Sequence, residues 1–178
     1  MIAIGISLGL NSGIEMEAID DIAIIGRQEQ ELVLASFDEN VAWQLGTWLR
    51  QKASERQLSI VIDIRRFVQP IFYFAMSGTS PDNPEWVRRK SNTVARFFRS
   101  SYGVGLELKQ KGGSLQTNFA LPEADFAAHG GAFPIRVRDA GVIGCITVSG
   151  LPQRVDHELV VEALCQFLGY DYEKYRLP

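Results

Sequence analysis

Residues 133–150, FPIRVRDAGVIGCITVSG, form two runs of alternating apolar residues joined by a tight turn. The turn falls at Asp139-Ala140-Gly141, a three-residue hairpin loop in which the glycine can take the left-handed conformation. A hairpin joins antiparallel neighbours, whereas parallel neighbours need a long crossover connection. This stretch therefore predicts an antiparallel sheet.

Two further strands precede this hairpin. Residues 58–65, LSIVIDIR, alternate cleanly and place four apolar side chains on one face: Leu58, Ile60, Ile62 and Ile64. Residues 69–76, QPIFYFAM, are apolar on both faces, so we expect this strand to be covered on both sides, with Pro70 at its start. The short link between the two strands predicts a second hairpin. A further short strand is expected at 104–108, VGLEL.

Apolar residues at helical spacing indicate four helices, at about 15–30, 38–56, 86–100 and 159–168. Ser36 and Glu39 have the spacing of a capping box for the second helix. Asn83 and Pro84 are expected to cap and begin the third. Because these helices are interspersed with hairpins rather than crossovers, the pattern predicts an α+β fold with helices packed on an antiparallel sheet.

Composition limits the classes of function. The chain has 178 residues, which fits one domain, and a net charge of -3, which makes nucleic acid an unfavourable partner. Its two cysteines lie inside apolar runs, as expected in a reducing, cytoplasmic compartment. Residues 1–10, MIAIGISLGL, are too short to span a bilayer. They are expected to be an extra strand, a leader or a misassigned start.

Gly5-Ile6-Ser7-Leu8-Gly9 matches the G-x-S-x-G motif of serine hydrolases, and residues 129–131, HGG, are similar to the oxyanion-loop glycines of esterases. The motif needs a strand-turn-helix in a parallel sheet, with the oxyanion loop earlier in the chain. Here the order is reversed and the serine stands near the chain start. A serine hydrolase is therefore disfavoured.

The two histidines have structural explanations as well as functional ones. Residues 121–131, LPEADFAAHGG, are expected to form a short helix with His129 in its last turn and Gly130 as the left-handed stop. The alternative is that His129 contacts a ligand, and both roles can coexist if it faces a pocket near Arg65. His157 opens the last helix, where positive charge is disfavoured, so we expect it to be neutral and near the surface.

Basic residues cluster near turns. Arg65 and Arg66 end a strand, and Arg89 and Lys90 lie early in a helix. Each one alone is more typical of a solvated edge or of an ion pair with a neighbour such as Asp63. Together they would suit a pocket for a small anionic ligand.

Four segments resemble the GlcG-like and HbpS-like proteins called haem-degrading domains: residues 62–66, 77–101, 129–137 and 142–164. The resemblance runs from about Phe37 to the C-terminus. It implies a profilin-like fold, in which a five-stranded antiparallel sheet lies between helices, and a homo-oligomer built from dimers. It also implies one domain over 15–178, with 1–14 as a leader outside the family pattern. The matching positions are Arg65, Arg66, Asp82, Asn83, Trp86, Arg89, Lys90, His129, Gly130, Gly131, Phe133, Pro134, Ser149 and Asp156.

The resemblance implies haem as the cofactor, with His129 as the axial ligand of the haem iron. Arg65, Arg66, Arg89 and Lys90 would then form the anion-binding side of the site, and Trp86 or Phe133 would pack on the porphyrin. Haem degradation also needs an electron source and a dioxygen pocket, which no residue identifies, so no catalytic residue is predicted.

The alternative is a non-catalytic assembly or partner-binding module, in which residues 77–90 line a subunit boundary. A third class, an enzyme acting on a small organic acid, lacks a well-placed general acid and base.

Overall fold

A five-stranded sheet with helices on both faces organises the chain. The computed structural model describes residues 9–178, with side chains from residue 20 onward. The elements follow in the order α1 (Gly9–Glu31), β1 (Val33–Leu34), α2 (Glu39–Glu55), β2 (Val61–Arg66), β3 (Gln69–Ala75), α3 (Asp82–Phe97), α4 (Ser101–Gln110), α5 (Leu115–Phe119), β4 (Ala132–Val137), β5 (Gly141–Ser149) and α6 (Gln153–Leu168). Residues Tyr172–Lys174 add one turn of 3₁₀ helix. All four predicted helices are confirmed, with shifted ends.

The strands lie in the order β1-β4-β5-β2-β3. The pairs β4–β5, β5–β2 and β2–β3 are antiparallel, as predicted, and Gly141 has the expected left-handed φ of 75°. The pair β1–β4 is parallel, with Val33 opposite Arg136. An entirely antiparallel sheet was therefore wrong at this edge, because a two-residue strand leaves too little sequence pattern to detect.

One face of the sheet carries the apolar core. Ile60, Ile62 and Ile64 are fully buried there and pack in one cluster with Leu49 of α2 and Leu164 of α6. Alternation in β2 confirms the predicted face. Each large aliphatic side chain buried in this way stabilises the fold by about 1.5–3 kcal/mol before entropy is counted.

The opposite face is polar and lies under α3. Asp63 of β2 and Thr147 of β5 are fully buried there, and the Thr147 hydroxyl lies 3.1 Å from the Ser91 hydroxyl of α3. Lys90 of α3 is also buried, at 3 % exposure. Buried polar groups need partners, so this face imposes specific positions on the side chains that line it.

Two predicted strands differ from the structure. Strand β3 lies at the edge of the sheet, where Phe72 is buried and Tyr73 is 48 % exposed, so it is not covered on both sides. Residues 104–108 belong to α4, whose N-cap Ser100 accepts a hydrogen bond from the Gly103 N–H. Glycines at 103 and 105 lower the helical signal of that stretch.

Residues 121–131 do not form the predicted helix. Their backbone bonds to α3 instead: Ala127 N–H donates to the Arg89 carbonyl, and the Thr93 hydroxyl donates to the Ala127 carbonyl. The left-handed glycine is Gly131, with φ of 125°, and not Gly130. Since α3 supplies partners that an isolated helix would supply, the segment runs along α3 with only a single turn at residues 123–125.

The predicted caps are displaced by a few residues. Asp38, not Ser36, caps α2 by accepting a hydrogen bond from Val41 N–H at 2.9 Å. Helix α3 begins at Asp82 rather than after Asn83, whose side-chain oxygen accepts from the Ser80 N–H.

His157 is buried at 1 % exposure, so its predicted place near the surface was wrong. Its Nε2 lies 2.8 Å from Oε1 of Gln28, whose amide nitrogen donates to the Tyr175 carbonyl. Because that amide is oriented by Tyr175, the His157 Nε2 carries the proton. The ring packs against Tyr102 and Phe133, with centroids 5.2 and 5.8 Å away, and burial lowers its pKa to about 3. The predicted neutral state agrees with this shift.

The N-terminal expectations fall mostly outside the described residues. Residues 1–8, with most of the G-x-S-x-G motif, lie there, so the choice between strand, leader and misassigned start stays a prediction. Helix α1 runs through residues 14 and 15, so the expected boundary between leader and domain falls inside a helix.

Candidate functional site

Two adjoining cavities share Trp86 and His129. The first, of about 290 Å³, lies between the N-termini of α3 and α6 and the end of β5. Its lining is Asp82, Asn83, Trp86, Lys90, His129, Ser149, Gly150, Leu151, Gln153 and Asp156. The second, of about 360 Å³, lies among α3, α4, α5 and residues 123–129. Most positions that carry the family resemblance in α3, β5 and α6 therefore converge on the first cavity.

His129 stands between the cavities, exposed to both. Its ring meets Trp86 edge-on, with centroids 5.2 Å apart and planes at 89°. Partial desolvation, and then the positive charges of Lys90 and Arg89, lower the pKa of His129, while a hydrogen bond with Gln153 opposes this. The imidazole is thus held neutral at physiological pH, which is the form that binds metal ions.

Trp86 is fixed on two sides. Its indole N–H donates to the Asp82 carboxylate at 2.9 Å, and the Arg89 guanidinium carbon lies 4.1 Å from its ring centroid. Arg89 also donates to the Glu123 carbonyl, which ties the cation to the segment that carries His129. A cation over an indole is stabilised by about 0.5–2 kcal/mol. The Trp86–His129 wall is therefore preorganised.

A buried ion pair forms the base of the first cavity. Lys90 Nζ lies 2.9 Å from Asp156 Oδ2 and donates to the Val148 carbonyl at 3.1 Å. The other carboxylate oxygen accepts from Leu151 N–H. Burial lowers the pKa of Lys90 and raises the pKa of Asp156, and the contact between the two charges opposes both shifts. Satisfying both groups in this way is what permits such burial.

The structure brings together four of the seven expected site residues: Trp86, Arg89, Lys90 and His129. Arg65 lies elsewhere on the polar face, where its Nε is 2.5 Å from Asp63 Oδ1, and it lines neither cavity. Arg66 lies over the Phe37 ring. Phe133 is 1 % exposed in the apolar core.

Two polar residues that line the cavities were not predicted from the sequence as site residues. Gln153 follows Pro152 at the start of α6, a helix-start signal that is visible in the sequence. Lys109 lines the second cavity from the end of α4, which the incorrect strand prediction concealed.

Two absences apply to the described part of the chain. Among the side chains that the structure describes, from residue 20 to residue 178, no group of three or more His, Cys, Asp or Glu could hold a metal ion. Over residues 9–178, none of the helices combines the length and apolar character that crossing a bilayer requires.

The sheet order and its two helical layers define an α+β domain of the profilin-like, GlcG-like type, as predicted. The chain belongs to the family of HbpS-like haem degrading proteins, whose model matches residues 37–165. A UPF0303 protein of Acidobacterium capsulatum is 61% identical over 163 residues, which cover 92% of this chain and 99% of that protein.

Solved structures show the same fold. Ybr137w protein superposes with a TM-score of 0.77 at 29% identity, covering 83% of this chain and 87% of its own. HbpS gives 0.59 at 18% identity, covering 79% and 96%. A PduOC:heme complex gives 0.61 at 20% identity, covering 75% and 94%.

Proposed function

We propose that this protein binds haem in the second cavity, with His129 as the axial ligand. The observation that carries the proposal is an exposed, neutral imidazole on a wall shared by two cavities, in a chain of the HbpS-like family. The solved structure of a related fold with bound haem supports it. A lone histidine does not suit a bare metal ion, which needs several ligands, but haem iron requires only an axial one from the protein.

The lining of the second cavity suits an amphipathic anion. Leu108, Leu115 and Phe126 offer apolar surface, and Arg89 and Lys109 offer positive charge. Haem combines an apolar macrocycle with two propionate carboxylates. These carboxylates would be the anionic groups that the site was expected to bind. Cations at the rim bind carboxylates through charge-assisted hydrogen bonds.

Each residue has a distinct part in this proposal. His129 would bind the iron, Trp86 would present its aromatic surface, and Arg89 with Lys109 would pair with the propionates. Bound haem would supply redox chemistry at iron. Lys90 and Arg65 already pair with carboxylates of the protein, so we do not expect them to bind the propionates.

A haemin titration followed by absorbance of the Soret band tests the proposal. Native protein is expected to show saturable binding, and His129→Ala is expected to lose it. His157→Gln is the matched control, because that histidine is buried outside both cavities and its replacement should leave binding unchanged. An unchanged Soret band with native protein, or equal binding by His129→Ala, would contradict the assignment.

A second pair of variants tests the cationic rim. Arg89→Ala is expected to weaken haemin binding, since Arg89 lines the cavity. Arg88→Ala removes the neighbouring cation, which is engaged with Glu85 and Asp125 and lines neither cavity, and should bind as the native protein does. Equal effects of the two substitutions would point to general charge rather than to the site.

We further propose a cytoplasmic homo-oligomer built from dimers. Exposed large apolar side chains support this, since Val68 is 93 % exposed and Trp43 is 64 % exposed. Analytical ultracentrifugation at micromolar concentration is expected to show a multimer, and a monomeric mass would overturn this part. A multimer that does not bind haemin would indicate the alternative, an assembly or partner-binding module with no haem chemistry.

A further inference from the structure

Gln153 contacts the His129 ring from the side of the first cavity. It is the first residue of α6, it is exposed at the cavity rim, and its side chain hydrogen-bonds to the imidazole. The amide oxygen Oε1 also accepts from the Gly130 N–H at 3.4 Å, so this oxygen is the amide atom that faces residues 129 and 130. Because an oxygen only accepts, the ring nitrogen that meets it carries the proton.

The backbone around His129 is held by both α4 and α6. The Ser101 hydroxyl of α4 donates to the His129 carbonyl. On the other element, Gly130 lies so close to α6 that a Cβ at this position would overlap the Gln153 carbonyl oxygen. Since the backbone is fixed from two sides, the orientation of the ring depends on its side-chain contacts with Trp86 and Gln153.

The two ring nitrogens of His129 have different surroundings. His129 lines both cavities, whereas Gln153 lines only the first. Arg89 and Lys90 also act on the ring through their charges, but neither side chain has an acceptor for a ring N–H. In a neutral imidazole one nitrogen donates and the other accepts, so the bond made by the first decides the state of the second.

We propose that Gln153 is a positioning residue, which fixes the tautomer of His129 so that the bare ring nitrogen faces the second cavity. This inference rests on the proposed function, since haem iron is what that nitrogen would bind. A metal-binding histidine that donates its other N–H to an acceptor has a fixed orientation and a more basic ligating nitrogen. Gln153 thus raises the affinity for haem from the first cavity, without lining the cavity that haem would occupy.

The first measurement needs no haem. Long-range ¹H–¹⁵N NMR spectra of haem-free protein at about pH 8, where imidazole is neutral, distinguish a ring nitrogen that carries a proton from a bare one. Native protein is expected to show one dominant tautomer of His129, and Gln153→Ala is expected to show a mixture of both. His157, whose Nε2 lies 2.8 Å from Gln28 Oε1, is an internal reference that should not change.

The second measurement is a haemin titration of the same proteins. Gln153→Ala is expected to bind haemin about tenfold more weakly, the lower end of the loss that follows removal of the partner of a metal-binding histidine. Gln153→Glu keeps an acceptor at the same reach, so it should restore both the single tautomer and the native affinity. Gln166→Ala changes an exposed glutamine of the same helix that lines neither cavity, and it should bind as the native protein does.

Three results would overturn the proposal: a mixture of tautomers in native protein, an unchanged tautomer in Gln153→Ala, or equal haemin affinity in Gln153→Ala and native protein. Failure of the proposed function has a different signature. Native protein would then bind no haemin, while its His129 spectrum would still show whether Gln153 fixes the tautomer.

Discussion

Replacement of His157 by glutamine is expected to make the protein more resistant to acid. The ring is 1 % exposed, and burial lowers its pKa to about 3 from an ordinary value of 6.5. The unfolded chain therefore binds the proton first, so the stabilisation is complete above pH 6.5 and is lost as the pH falls toward 3. When the pH falls from about 7 to about 4.5, the titration of His157 alone should lower the free energy of unfolding by about 2.5 kcal/mol. That is a large fraction of the stability of a typical domain.

Glutamine is the suitable replacement because its amide N–H can still donate to Gln28, as the His157 Nε2 does. Urea unfolding of both proteins at the two pH values, followed by far-ultraviolet circular dichroism, gives the comparison. Every other titrating group contributes to both proteins, so the native protein should lose about 2.5 kcal/mol more than the variant. An equal loss of unfolding free energy in the two proteins would contradict this prediction.

Three other predictions concern the site and the sheet. Because the pKa of His129 is lowered, haemin binding should persist below pH 6.5 and decline only in more acidic buffer, and a Soret titration with a midpoint above 6.5 would contradict this. Gly144→Ala should destabilise the protein by about 3 kcal/mol, since a Cβ would lie 2.0 Å from a carbonyl oxygen of β2. Gly26→Ala, with open space around its Cβ position, should cause no loss in the same urea unfolding assay. Lys90→Met should cost about 3–5 kcal/mol of unfolding free energy because it leaves Asp156 buried without its cation, and Asp156→Asn added to it should recover part of the loss.

The sequence predicted the sheet better than the site, for physical reasons. Ile60, Ile62 and Ile64 repeat at the period of a strand, and this local pattern is sufficient to identify the buried face. Trp86 and Lys90 lie one helical turn apart, so the pattern also placed them on one side of α3.

The contact that brings His129 to that side of α3 is between residues far apart in the sequence. The hydrogen bond from Ala127 N–H to the Arg89 carbonyl spans 38 residues of sequence, and no periodicity records it. The same tertiary bond overrides the helical propensity of residues 121–131. Arg65 was expected near His129 because basic residues near turns could assemble an anion-binding pocket, but Asp63, two residues away on the same strand, binds it instead.

The two edges of the sheet are unequal in their capacity to recruit another strand. Edge β1 has only two residues, whereas β3 has seven, and residues 69–76 carry no charge that would discourage pairing. If two copies join β3 to β3 about a two-fold axis, both long edges are used at once. Only the two-residue β1 strands then remain at the outer edges of the combined sheet. Growth of the sheet would therefore stop at ten strands instead of continuing into a fibre.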